Sequence, residues 1–186
     1  GFDVAKLTQA TTSNSPAKLT GTLDFQSKWR GVETGKLDGE GDAQIADGKL
    51  EGVKILDEIS QALKIKELHD PIIKTGKTHF VVSGRQAQLT GLQIESSIFS
   101  ITGDGTVSFD GPLNMNLVLI LTRDAMNKLP SQVAASFVKQ QDGTGSIAFQ
   151  VTGTTSNPQT NLPERLLMQN TQIQHVLNKA LNKFFP

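Results

Sequence analysis

One motif in the sequence could in principle bind phosphate. Gly76-Lys77-Thr78 matches the end of a phosphate-binding loop, whose glycine-rich backbone wraps the phosphates. That loop needs another glycine five residues before Gly76, and Pro71 stands there. We also predict no strand before Pro71. We therefore exclude a phosphate-binding loop.

A second motif has part of the pattern of a calcium loop. Asp38, Glu40 and Asp42 alternate as calcium ligands do at the start of such a loop. The sixth position should be glycine and is Ala43, and the twelfth should be glutamate and is Lys49. We interpret this segment as a solvated hairpin turn and expect no metal site.

The sequence offers few groups for acid, base or nucleophilic catalysis. His69, His79 and His175 are the only histidines, and their spacing matches no metal-ligand or protease motif. Ser146 lacks the flanking glycines of a nucleophile elbow. We expect surface histidines and no enzyme. A hydrolase assembled from distant acids and histidines stays open as a remote alternative.

Composition excludes further classes of function. The chain of 186 residues has 18 basic and 18 acidic side chains and no cysteine. A neutral chain has no overall field to attract nucleic acid, and its one basic-aromatic cluster, Lys28-Trp29-Arg30, is too small for that role. We interpret Trp29 as a half-buried anchor at a strand end. The absence of cysteine excludes thiolate zinc sites, disulfides and thiol catalysis, and we expect no cofactor.

No segment is typical of a membrane span or an export signal. The longest aliphatic run, Leu117–Leu121, is far shorter than the roughly 20 residues that a transmembrane helix needs. The sequence starts Gly1-Phe2-Asp3, without the basic and apolar regions of a signal peptide.

Most of the chain has the period-two pattern of β-strands. Apolar residues alternate in short segments such as Phe80 and Val82, and over the whole of Leu113–Leu121. Five Asp-Gly pairs punctuate this pattern, and Asp-Gly suits tight hairpin turns. We therefore predict an antiparallel meander in which most of these pairs form hairpins.

Three helical segments interrupt or follow the strands. The period of 3.6 residues predicts a short helix over Val53–Ile65. Residues 124–139 predict a second helix, which Pro130 should break near Leu129. Asn161 and Glu164 form a capping pattern for a C-terminal amphipathic helix, whose apolar stripe is Leu166, Ile173, Val176, Leu177, Ala180, Leu181 and Phe184.

Three phrases together resemble the AsmA-like C-terminal domain family of bacterial envelope proteins. The first is LDGEGDAQIADGKLEG over 37–52, followed by the short helix. The second combines LQIESS and ITGDGTVSF within 92–110, and the third is FQVTGTTSNP over 149–158. Their order, their spacing and the helix between them carry the resemblance, which covers roughly residues 17–160.

The resemblance implies a fold and a function. The expected fold is α+β and mainly β, an antiparallel, strongly curled sheet with one short internal helix, a broken second helix and a C-terminal amphipathic helix. Residues 1–16 would be a linker, 17–160 the β domain and 161–186 a helix packed on the sheet. The chain would belong to a larger anchored protein, be periplasmic or envelope-associated, and contribute to lipid transport or outer-membrane assembly.

The implied ligand is a phospholipid or fatty-acyl chain held in an apolar β groove. An envelope protein is a further possible partner, and no nucleic acid is expected. The predicted groove residues are the inward positions of the strands: Phe80, Val82, Phe99, Ile101, Val107, Phe109, Leu113, Met115, Leu117, Leu119, Leu121, Ile147, Phe149 and Val151. The same residues would equally form the closed core of a structural or protein-interaction domain, and that alternative stays open.

Overall fold

A computed structural model describes residues 2–3, 18–30, 38–109 and 111–166. Within them the chain forms ten strands of one antiparallel sheet. The strands are β1 (Phe2–Asp3), β2 (Lys18–Arg30), β3 (Asp38–Glu51), β4 (Ile72–Ser83), β5 (Gln86–Ser96), β6 (Phe99–Ser108), β7 (Leu113–Leu121), β8 (Val138–Lys139), β9 (Gly145–Gly153) and β10 (Pro158–Thr160).

The sheet is open, so the expected strongly curled sheet is wrong. Strands lie beside one another almost in chain order, from β1 at one edge through β7, β9 and β10, while the short β8 pairs only with β9. The strands at the two ends of this order do not pair. The mainly β, antiparallel meander itself agrees with the alternating sequence.

Helices cover the apolar side of the sheet, which we call the inner face. Helix α1 (Lys54–Leu63) follows β3, and a 3-10 turn (Lys66–Leu68) leads into β4. Helices α2 (Arg123–Lys128) and α3 (Ser131–Ala134) lie between β7 and β8. Because these helices bury the inner face of β6, β7 and β9, this part of the sheet does not need to wrap around itself to exclude water.

Local signals account for the helices. In α1, Leu56, Ile59 and Leu63 are buried, as the 3.6 period predicts for one face. Leu129 and Pro130 are not helical and separate α2 from α3, so the predicted break at Pro130 is confirmed. The predicted helix over 124–139 is wrong at its end, because Val138–Lys139 form β8. None of the helices in the described part of the chain is long and apolar enough to cross a membrane.

The C-terminal helix is described only at its start. Residues 162–166 are helical, and Leu162 and Leu166 are buried in the core. The side chain of Asn161 accepts a hydrogen bond from the Gln150 backbone N–H at 2.7 Å. This bond connects the start of the helix to strand β9. The rest of the predicted stripe and the predicted helix beyond residue 166 lie outside the described residues. Of the predicted linker over 1–16, the structure describes only Phe2–Asp3, which form β1.

The prediction that most Asp-Gly pairs form hairpin turns is wrong for three of them. Asp38-Gly39 and Asp47-Gly48 lie within β3, and Asp104-Gly105 lies within β6. Asp142-Gly143 does lie in the turn before β9, and Asp110 of the fifth pair lies outside the described residues. At Gly39 and Gly105 the missing Cβ instead leaves room for Trp29 and Met115 of the neighbouring strands.

Both motifs that suggested an ion or phosphate site lie inside strands. The triplet Gly76-Lys77-Thr78 belongs to β4, which begins at Ile72. A 3-10 turn (Lys66–Leu68) and not a strand comes before Pro71, as expected. The acidic segment 38–42 belongs to β3, which corrects its interpretation as a hairpin turn. Both segments pair with a strand on each side, because the alternation of the chain continues through them.

Candidate functional site

The inner face bears a cluster of three aromatic rings near the β2 edge, which we call the aromatic surface. Its rings belong to Phe25 and Trp29 of β2 and Phe80 of β4. Phe25 and Phe80 are stacked with centroids 5.1 Å apart, and Trp29 lies 6.2 Å from Phe80 at 34°. Offset and tilted pairs of this kind stabilise one another beyond the area they bury.

Two glycines of β3 form the floor beneath these rings. Gly39 lies opposite Trp29 on one side and Val82 on the other, and Gly41 lies opposite Phe80. A Cβ at Gly39 would lie 2.8 Å from Trp29 Cδ2, and one at Gly41 would lie 2.7 Å from Phe80 Cζ. The rings can therefore lie flat across β3 only because both positions are glycine.

The aromatic surface is partly open to solvent. Phe25 is 45% exposed and Trp29 is 39% exposed, whereas Phe80 beneath them is only 7% exposed. The single polar atom of the Trp29 ring is satisfied, since Nε1 donates to Ser27 Oγ at 2.8 Å. What the rings present outward is therefore hydrocarbon, which favours an apolar ligand over a polar one.

Most of the predicted groove residues lie under the helices rather than in a groove. Those in one buried cluster with the helices are Phe99, Ile101, Met115, Leu119, Leu121, Ile147, Phe149 and Val151. Phe80 and Val82 are also buried but lie outside that cluster, and Phe80 lies beneath Phe25 and Trp29. Val107, Leu113 and Leu117 are half-buried, and Phe109 is 54% exposed in the turn that follows β6. An acyl chain could reach the interior part of this set only by displacing helices.

Sequence reasoning placed Trp29 at a strand end but left Phe25 and Trp29 out of the groove set. The signal that could have found them is the alternation of Phe25, Ser27 and Trp29 along one strand. The matching alternation of Gly39 and Gly41 in the next strand marks where large rings can lie.

Histidine–carboxylate pairs lie away from the aromatic surface. His79 Nδ1 is 3.0 Å from Asp42 Oδ1 across β3 and β4. His69 Nδ1 is 2.5 Å from Asp57 Oδ1 and its Nε2 is 3.8 Å from Asp70. Both histidine side chains are about half exposed, and within the described residues neither pair has a serine or threonine hydroxyl bonded to the imidazole. Neither pair therefore forms a catalytic triad with a serine or threonine nucleophile among the described residues.

A cleft of about 560 Å³ with both polar and apolar lining residues opens beside the bulge at Gly91. Gly91 has a φ of 60° and donates its N–H to Asp104 Oδ1 at 2.7 Å. Among the described residues that line the cleft, Asp104 is the only acid and none is a histidine or serine. Asp104 already accepts the hydrogen bond from the Gly91 backbone. In the described part of the chain, no group of three acidic or histidine side chains could hold a metal ion.

Comparison with known proteins adds no assignment to this geometry. The chain matches no family model, no curated protein and no solved structure.

Proposed function

We propose that the protein is a non-catalytic domain of the bacterial cell envelope that holds the acyl chain of a lipid against the aromatic surface. The proposal combines the resemblance of the three sequence phrases to AsmA-like domains with the position of the exposed rings. It moves the acyl site from the predicted groove to a part of the inner face that solvent reaches, and of the predicted groove residues only Phe80 belongs to it. Lipid transport or outer-membrane assembly would be the process served.

The observation that carries the proposal is the flat aromatic surface itself. Phe25 and Trp29 are large, exposed and held in place by stacking on Phe80. Gly39 and Gly41 let Trp29 and Phe80 lie close to β3. A preformed apolar surface binds a flexible chain with little reorganisation of the protein.

The expected affinity is modest because the surface is open. Full burial of a methylene contributes about 0.8 kcal/mol, so an open surface that covers half of each contributes about 0.4 kcal/mol. Ten methylenes would then give about 4 kcal/mol, which corresponds to a dissociation constant of about 1 mM. A single copy of the domain is therefore expected to hold lipid only briefly.

Trp29 is the only tryptophan and makes a direct test possible. A medium-chain ω-bromo fatty acid below its micellar concentration should quench Trp29 fluorescence, because bromine quenches on contact. The unlabelled fatty acid should relieve the quenching by competition. Bromoacetate, which has the same head group without the chain, should quench no more than it quenches free tryptophan.

A pair of variants distinguishes binding at the aromatic surface from non-specific binding to other exposed apolar side chains. Phe25→Ser should weaken the quenching several-fold, since it removes one of the two exposed rings. Ile72→Ser removes an apolar side chain that is 66% exposed outside the aromatic surface, and it should leave quenching unchanged. Equal quenching in all three proteins would reject the aromatic surface as the acyl site.

A structural or protein-interaction domain is the second candidate function. The observation that favours it is the filling of the inner face by helices: Leu119 and Leu121 are completely buried together with residues of α1 and α2. A folded protein that shows no chain-dependent quenching would favour this function over lipid binding.

A further inference from the structure

Strand β2 presents a long backbone edge. In the described residues, only β1 lies along this edge, opposite Thr22 and Leu23. Residues 24–30 continue for seven further positions, DFQSKWR, as regular strand paired on the other side with β3. This segment contains neither proline nor glycine, and the one irregularity of β2 lies earlier, between Thr20 and Thr22. It lacks the usual devices that keep an edge from pairing, apart from Lys28 and the other charges.

The order of side chains in this segment is self-complementary. Rotation by a half turn about Ser27 places Asp24 opposite Arg30 and Phe25 opposite Trp29. The same rotation places Gln26 opposite Lys28. An antiparallel strand pair puts directly opposite residues on the same face of the sheet. Opposite charges would thus meet on the outer face, and aromatic rings would meet on the inner face.

We propose that residues 24–30 of β2 pair antiparallel with the same residues of a second copy of this chain, around a two-fold axis at Ser27. The pairing joins the two sheets into one and makes each aromatic surface continuous with the other. Cross-strand aromatic pairs and opposite charges each stabilise an antiparallel pair. An isologous contact of this kind closes as a dimer.

Neighbouring registers that keep the same faces together are excluded on chemical or steric grounds. An axis at Lys28 would set two Lys28 ammonium groups opposite each other. An axis at Gln26 would place Arg30 opposite Thr22 and Trp29 opposite Leu23, where β1 already pairs. With the axis at Ser27, the paired segment stops at Asp24, just before β1.

The charges of β3 extend the pattern on the outer face. Arg30 already lies opposite Asp38 within its own sheet, and Lys28 lies opposite Glu40. In the dimer, Arg30 would stand between Asp38 and Asp24 of the second copy. A carboxylate accepts several hydrogen bonds, so Asp24 can receive this contact in addition to its interaction within its own chain.

Sedimentation of the full chain tests the proposal without any ligand, so its outcome is independent of lipid binding. The protein should form a dimer as concentration rises to about 1 mM, where an association of only about −4 kcal/mol is half complete. Trp29 emission should change along the same curve, since the ring gains Phe25 of the second copy as a neighbour. A monomer over this whole range would overturn the proposal.

Charge exchange tests the register. Asp24→Lys and Arg30→Glu should each raise the dimer dissociation constant about tenfold or more, because each places two like-charge contacts in the symmetric dimer. An equimolar mixture of the two variants should restore association. In the mixed dimer the introduced lysine of one chain meets the introduced glutamate of the other, and the second contact is the original pair of Asp24 and Arg30. Circular dichroism should show that both variants remain folded.

Lys74→Glu is the matched control. Lys74 is exposed on β4, away from the β2 edge, and the change has the same size and sign of charge effect as Arg30→Glu. It should leave the dimer unchanged. Single variants that associate like the original chain, or a mixture that stays monomeric, would reject the register centred on Ser27.

Discussion

Asp142 shows how one side chain fixes a turn. Its Oδ1 accepts the Thr144 backbone N–H at 2.9 Å and the Thr144 hydroxyl at 2.7 Å. The Asp142 carbonyl accepts from Arg123 Nε at 2.7 Å, which ties the turn to α2. The bonds from Thr144 to the carboxylate, that of the backbone N–H first, hold the pKa of Asp142 below its ordinary value.

A lowered pKa makes this contribution to stability dependent on pH. Because the folded state favours the ionised carboxylate, the contribution is present above the unfolded pKa of about 3.9 and is lost as the pH falls through the folded pKa. Urea unfolding should show that Asp142→Ala is less stable than the original chain at neutral pH. The difference should shrink between about pH 5 and pH 2.

Thr144→Ala provides the comparison for this prediction. It removes the hydroxyl donor while the backbone donor remains, so it should lose only part of the same pH-dependent difference. A difference between Asp142→Ala and the original chain that is constant with pH would contradict the ionised carboxylate as its source.

At the scale of elements, Gly-x-Gly segments inside strands explain how large side chains cross a neighbouring strand. In β3 the pair is Gly39 and Gly41 under the aromatic rings. In β6 the pair is Gly103 and Gly105, where added Cβ atoms would lie 2.9 Å from Leu117 Cδ2 and 2.5 Å from Met115 Sδ. At both pairs the missing Cβ atoms leave room for side chains of the adjacent strands to lie across the strand.

Gly41→Ala tests whether the packing of the aromatic rings across β3 requires a glycine at this position. An added Cβ would overlap the Gln26 carbonyl oxygen and crowd Phe80, so we expect a loss of about 1–3 kcal/mol in the free energy of unfolding. The near-ultraviolet signal of the rings should also change. Gly84→Ala, in a turn with open space around it, should cost stability only through its φ of 59° and leave the ring signal intact. An unaltered ring signal in Gly41→Ala would contradict the claim that the rings need this glycine to pack across β3.

At the scale of the whole molecule, helices rather than curvature close the inner face. Ile59 of α1 is buried in the same cluster as Ile101 and Leu119 of the sheet. Lys128 of α2 binds Glu67 of the 3-10 turn at 2.6 Å, which links the helical segments to each other. This hydrogen bond lowers the pKa of Glu67.

Ile59→Ala tests the helix cover. The change leaves a cavity between α1 and the sheet and should lower the free energy of unfolding by about 2–5 kcal/mol. Val81→Ala, at a position that is 41% exposed on the outer face, should cost well under 1 kcal/mol. Urea unfolding measures both, and similar small losses would show that α1 contributes little to closing the core.

The candidate site was only partly predictable. The alternation in β4 placed Phe80 and Val82 on the inner face, and both are there. The same pattern placed Leu119 and Leu121 in the groove set, yet helices bury them. A period of two assigns a residue to a face but does not say what covers that face, so core and groove looked alike.

Local chemistry allowed the sequence by itself to determine the antiparallel strands, the helix after β3 and the break at Pro130. Strand alternation, helical periodicity and the fixed φ of proline all act over a few neighbouring residues. Tertiary structure alone decided that the sheet stays open, that three Asp-Gly pairs lie inside strands, and that Phe25 and Trp29 remain exposed. Each of these depends on side chains from distant strands and helices that compete for the same apolar surface.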